Sequence, residues 1–169
     1  MNISRAGVTG TIKYSLFDKN NNLKAQGINH NLVVNEGLYY LADKQLSSPA
    51  QDAMKQMVLG TGTATPGSAD TWVSGPFPGN GTALGTAGSV SPGTIAGTLN
   101  AFRYIGTFGA GYATQNGINE AVVANSSPGT AGTEPTGQIL AHALLSPGTI
   151  NKGASDTLVI TWDFVFNAA

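Results

Sequence analysis

The sequence predicts a mainly β protein, an antiparallel β-sandwich with one short helix near residues 36–46 and long loops rich in Gly, Pro and Thr. Three observations carry that expectation. Several stretches alternate apolar and polar residues with a period of two, one stretch has helical spacing, and the segments between them are crowded with turn residues. The strongest alternation is the last, Asp156 to Asn167 (DTLVITWDFVFN). Leu158, Ile160, Trp162, Phe164 and Phe166 fall on one side of an extended chain, and Thr157, Val159, Thr161, Asp163 and Val165 on the other. Burying five such side chains contributes roughly 1.5–3 kcal/mol each before entropy is counted. This segment is therefore expected to be the central core strand, with its second face mild enough to be covered as well.

The remaining elements follow in chain order. Val8, Ile12, Tyr14 and Leu16 alternate up to a polar turn at 18–22, after which Leu23 to Ile28 reads as the return strand of a hairpin. Asp18, Asn20 and Asn22 have the spacing of a calcium loop, but Leu23 stands where that loop needs Gly and Asn29 where it needs Glu. Turn chemistry is the reading. Leu32 to Val34 is a short strand, Asn35 is placed to cap a helix with Glu36 in its first turn, and Ser47-Ser48-Pro49 stops the run. Residues 55–60 form a short apolar strand. Residues 61–98 are an extended insertion of Gly, Thr, Ala, Ser and Pro within one β domain spanning 1–169. Strands at 99–108, 118–124, 138–146 and 158–166 are expected to form an antiparallel meander, because their connections leave no room for a crossover helix. Ser-Pro-Gly-Thr recurs at 91–94, 127–130 and 146–149, a type II turn used three times.

Composition narrows the function. Charged residues make up 10% of the chain, against roughly 25% in ordinary soluble domains. With a net charge of −1 and scattered Lys and Arg, no phosphate-tracking surface is expected, so nucleic acid is not a partner. No cysteine is present, which removes disulfides, thiolate metal sites and thiol nucleophiles. The N-terminal residues lack a secretory apolar stretch and no run reaches membrane-spanning length, so a soluble protein made in a cytoplasm, without a membrane partner, is expected.

Catalytic patterns are missing too. His30 and His142 lie far apart and outside metal-ligand spacing, and His142, between two alanines in a strand, reads as a structural or surface imidazole. Gly60-Thr61-Gly62 lacks the Lys-Ser or Lys-Thr of a phosphate cradle, and no Gly-x-Ser-x-Gly elbow occurs. Glu120 with Asp163 is the carboxylate pair a glycosidase would have to bring together in space. Otherwise Asp163 is exposed, or pairs with Arg103 or Lys152. No enzymatic activity, cofactor or metal is expected.

Four stretches together resemble a known family: Asn29 to Ala42 (NHNLVVNEGLYYLA), Met57 to Thr71 (MVLGTGTATPGSADT), Thr107 to Asn125 (TFGAGYATQNGINEAVVAN) and Leu145 to Phe166 (LSPGTINKGASDTLVITWDFVF). In this order they resemble small virion structural proteins of tailed bacteriophages, found as head-decoration (cement) proteins or as tail and fibre parts. Glu120-Ala121 keeps the family's pattern in the third stretch, and Val122-Val123-Ala124 departs from it. The resemblance implies a homotrimer on the outer surface of a virion, bridging major capsid subunits at a local symmetry axis. For such a protein the 61–98 insertion is the expected contact arm, through Trp72, Val73, Phe77, Leu84 and Val90, with Val159 and Val165 as a second contact on the closing strand. Two alternatives stand beside it. One is a tail or fibre component that shows Trp72, Phe77 and Tyr112 to a receptor, where these aromatics are not simply buried loop anchors; the other is a carbohydrate-binding β domain.

Overall fold

The computed structural model describes residues 7–77, 100–126 and 137–167. The chain runs through β1 (Gly7–Phe17), β2 (Leu23–His30), β3 (Leu32–Val33), α1 (Asn35–Asp43), β4 (Gln56–Gly60), β5 (Ala101–Phe108), β6 (Gln115–Ile118), β7 (Glu120–Ala124), β8 (Ile139–Leu144), β9 (Ile150–Lys152) and β10 (Thr157–Asn167). These make two four-stranded antiparallel sheets, in the orders β2-β1-β10-β5 and β3-β8-β7-β4, and a small ribbon of β6 with β9. The fold is mainly β with one short helix, as the alternation predicts.

The closing strand is central. β10 pairs with β1 along its whole length, from Gly7 opposite Asn167 to Phe17 opposite Thr157, and with β5 on its other side. Its apolar face joins Ile12, Tyr14 and Leu16 of β1 and Tyr104 and Phe108 of β5 in the main core. Phe102 and Phe164 stack nearly parallel with centroids 4.9 Å apart, and Trp162 stacks on Phe164 at 5.8 Å. Offset aromatic contacts of this kind add to plain area burial. Phe166 is the exception on that face. It lies at the end of the sheet and is 41% exposed.

The second sheet closes the core from the opposite side with Met57, Leu59, Ala121, Val123, Ala141 and Ala143. Here the expected four-strand meander is corrected: β10 lies between β1 and β5, while β8 lies between β3 and β7. The 145–156 connection does not turn β8 back onto β10. Instead it contributes β9 to the ribbon with β6 and carries the chain from one sheet to the other. Gly148 in this connection has the expected positive φ, +83°, after a cis Ser146–Pro147 peptide. The other two Ser-Pro-Gly-Thr copies, at 91–94 and 127–130, lie outside the described residues.

The helix is shorter than predicted and starts one residue earlier. Val34 occupies the cap position with no side-chain cap bond, so Asn35 is the first helical residue and not the cap. At the other end the Asp43 carboxylate accepts from the Ala50 and Gln51 amides at 3.1 and 3.0 Å, and Lys44 donates to the Gln51 carbonyl. A carboxylate that folds the following loop back is a poor residue with which to extend a helix toward its negative end. Gly37 lets the helix lie directly on β8, since a Cβ there would sit 2.0 Å from the Leu140 carbonyl oxygen.

Asp163 meets Arg103 directly across β10 and β5, with Nε–Oδ1 and Nη2–Oδ2 distances of 2.5 and 3.0 Å. Lys152 is buried elsewhere and donates to the Gly109 carbonyl at 2.9 Å. Among the described residues no helix is long and apolar enough to cross a membrane.

Candidate functional site

Strands β4, β7 and β8 have a second face, turned away from the main core, and a period of two puts Val58, Val122, Ala124, Glu120 and His142 on it. That face is largely apolar and needs a cover. Residues 61–77 supply it: Trp72 and Val73 pack with Val34, Val58, Val122, Ala124 and Ile139 in a separate hydrophobic cluster, and Phe77 joins the main core. This corrects the expectation of an exposed contact arm for the described part of the insertion. Trp72, Val73 and Phe77 are buried against the chain's own sheet because an apolar sheet face left open to water would cost more than ordering the loop. Leu84 and Val90 lie outside the described residues. Val159 and Val165 are half-buried on the outer face of the first sheet, and Tyr112 is 41% exposed.

The covering loop is fastened by a buried carboxylate. Glu120 Oε1 accepts from the Gly62 and Gly75 amides at 2.9 and 2.7 Å; Oε2 accepts from the Ser74 amide and hydroxyl at 3.1 and 3.0 Å. One side chain thus gathers both ends of the loop. The same neck is closed by the Thr61 amide donating to the Gly75 carbonyl at 2.7 Å and by the Asn119 side chain donating to the Thr61 carbonyl at 3.1 Å. Gly75 permits the approach, since a Cβ on it would lie 2.3 Å from the Gly62 nitrogen.

His142 links this neck to the loop's tip. Its Nε2 lies 2.8 Å from Glu120 Oε2 and its Nδ1 2.6 Å from Asp70 Oδ2. Asp70 Oδ2 also accepts from the Gly67 amide at 2.8 Å, while the Ser68 carbonyl accepts from the Asn35 amide at the start of α1 at 2.8 Å. Burial alone would push the Glu120 carboxyl up. The hydrogen bonds from His142, from the Ser74 and Gly75 amides and from the Ser74 hydroxyl outweigh it and bring the pKa down to about 2. For His142, burial works against the charged form, and the two carboxylates outweigh it and raise the imidazole above its ordinary range. A carboxylate oxygen lies within hydrogen-bond distance of each ring nitrogen, an arrangement that favours the charged imidazole.

This geometry fastens the loop to the sheet. Both imidazole nitrogens are occupied, the residue is buried, and the nearby Ser74 hydroxyl donates to Glu120 and not to His142. A nucleophile–base pair needs a hydroxyl on the base. Nor are Glu120 and Asp163 brought together: they sit on the outer faces of opposite sheets with the core between them, and Asp163 is held by Arg103. Among the described residues no group of three or more His, Asp or Glu is arranged to hold a metal ion. A surface cleft lies over β1 and β2, between Tyr14, Gln26, Ile28 and Pro147, with Lys13 its one charge. It has too few convergent polar groups to define a ligand.

Sequence reasoning read His142 as a structural or surface imidazole and missed both its burial and its partners. They lie 72 and 22 residues away in sequence. A usable sign was present in retrospect, because Glu120 and His142 are single charged or titratable residues set into the apolar strands EAVVA and ILAHAL. Buried ionisable groups are paired, so each implied a partner. No family model matches the chain, and no curated protein or solved structure matches it significantly.

Proposed function

We propose that the chain is a structural protein of a tailed-phage virion, a capsid decoration protein that forms a homotrimer and bridges major capsid subunits. The observation that carries this reading is the outer face of the β2-β1-β10-β5 sheet. Thr157, Val159, Thr161 and Val165 of β10 and Ile105 and Thr107 of β5 are all half-buried there, and Ile28 of β2 is exposed. Its one central ion pair, Arg103 with Asp163, neutralises itself, and beside it the exposed Lys13 of β1 lies between Thr161 and Ile28. A broad, low-charge sheet face of this kind suits contact with protein, where charged residues are depleted at the centre of an interface. The ordered resemblance of four stretches to phage virion proteins supports the same reading.

The purified protein is expected to sediment as a trimer, and labelled antibody raised against it is expected to coat phage heads. Labelling confined to tails would move the protein to a tail or fibre part. A monomer that labels neither, and that binds oligosaccharides on a glycan array, would overturn the virion reading in favour of a carbohydrate-binding domain.

A further inference from the structure

We infer that His142 is a proton-operated latch on the 61–77 layer: the doubly protonated imidazole ties Asp70 to Glu120, and loss of one proton frees Asp70 while Glu120 keeps its bond. The inference is independent of the virion reading, because it rests on the loop's own geometry.

A neutral imidazole has one N–H. Placed between two carboxylates, it must turn a lone pair toward one of them. Which contact is lost follows from exposure. The Glu120 side chain is 0% exposed and has no access to water, whereas the Asp70 side chain is 31% exposed and can be solvated where it stands. The proton that leaves is therefore the one on Nδ1. Glu120 still accepts from Gly62, Gly75 and Ser74, so the neck of the loop stays closed. The tip, residues 67–71, keeps its internal turn between Gly67 and Asp70, but with nothing ionic tying it to the sheet it is held by the Asn35–Ser68 backbone bond, which opens with it.

Trp72 and Val73 lie between the tip and the neck. Opening the tip lifts them from Val34, Val58, Val122, Ala124 and Ile139 and uncovers an apolar sheet face. The other groups facing His142 do not compensate. β3 sets Leu32 opposite it and β7 sets Val122, while from α1 the Glu36 carboxylate reaches only the Ile139 amide, at 3.5 Å.

The direction with pH follows from linkage. A histidine ionising higher in the closed state than in the open one holds the tip fully below the open-state pKa of about 6.5. Above it, the open population grows about tenfold per pH unit until the closed-state pKa is passed.

The test uses the whole chain labelled with nitrogen-15. Long-range proton–nitrogen spectra are expected to show both His142 nitrogens protonated at pH 7, with Nδ1 losing its proton first on raising the pH. Amide exchange, corrected for its intrinsic base catalysis, should rise with the same midpoint at Asn35, whose acceptor is the Ser68 carbonyl of the tip, but not at Gly62 or Gly75. Because His142 variants risk failing to fold, the decisive variant is Asp70→Asn at the exposed end, expected to move the midpoint to lower pH. A singly protonated His142 at pH 7, exchange rising equally at tip and neck, or a midpoint unchanged in Asp70→Asn would each overturn the latch.

Discussion

Val122 and Val159 are the same residue type at the same kind of position, the outward face of a central strand, yet Val122 is 0% exposed and Val159 is half-exposed. The difference lies in what flanks them. Around Val122 the outward residues are Val58, Ala124 and Ile139, and the chain lays Trp72 and Val73 over them. Around Val159 they are Ser15, Thr107, Thr157 and Thr161, which tolerate water, and β10 and β5 place Arg103 and Asp163 there to pair with each other. An apolar outer face must be covered from within the molecule, and a mixed one can wait for a partner. The cover over the second sheet carries its own cost, because it seals in the carboxylate and imidazole that fasten it. Every lone pair and proton of those groups then has to be matched.

Removing the fastener should have the largest effect. Glu120→Ala deletes the acceptor for the Gly62, Ser74 and Gly75 amides, the Ser74 hydroxyl and His142 at once. Breaking a buried, hydrogen-bonded pair by removing one partner costs about 3–5 kcal/mol. Urea unfolding should show this as a lower midpoint, or as loss of two-state behaviour if the cover detaches first. The pH arm has a definite sign. Folded Glu120 ionises near 2 against an ordinary 4.5, so its contribution is complete above about 4.5 and is lost as pH falls through about 2. Acid should therefore weaken wild type more steeply over that window than Glu120→Ala, in which the lowered carboxyls of Asp18, Asp43 and Asp156 still respond.

Trp72→Ala comes next, at about 3 kcal/mol, since a large aromatic is removed from a packed cluster. The matched substitution on the other sheet, Val159→Ala, should cost well under half of that, because a half-exposed valine has less burial to lose. Equal losses at the two positions, measured by denaturant midpoint, would mean that the outer faces do not differ as described.

How much of this was legible in the sequence follows the range of the interactions. The alternation of β10 and the hairpin of β1 with β2 are local patterns, and both were read. The Arg103–Asp163 pair was open to sequence reasoning because each is the lone charge on an otherwise neutral strand face. Sheet order was not legible: only a short connection carrying β9 separates β8 from β10 in sequence, but the sheet each joins is set by which apolar faces must meet across the core. The role of 61–77 was misread because its Gly, Thr and Pro content describes a loop equally well whether it extends into solvent or lies on a sheet. What decides is the apolar second face of β4, β7 and β8, visible as five consecutive buried residues in QMVLG and in EAVVA. A strand apolar on both faces requires two covers, and the only large apolar residues between β4 and residue 78 are Trp72, Val73 and Phe77.

Smaller effects on stability are expected on the first sheet, and there they discriminate most. Arg103→Ala should cost about 0.5–1 kcal/mol, the ordinary worth of a partly exposed pair, with a further part of that masked by salt. Val159→Lys and Val165→Lys should change monomer stability by less than about 0.5 kcal/mol, because a long side chain can carry its ammonium from a half-exposed position into water. If that face is where copies of the chain meet, the same two substitutions place like charges in a low-dielectric contact. They should then convert the trimer to monomer in sedimentation at concentrations where the wild type is fully associated. The combination sought is an unchanged unfolding midpoint for the monomer with association lost. Association that survives both lysines would assign the contact to another surface and leave the mixed face of the first sheet facing water.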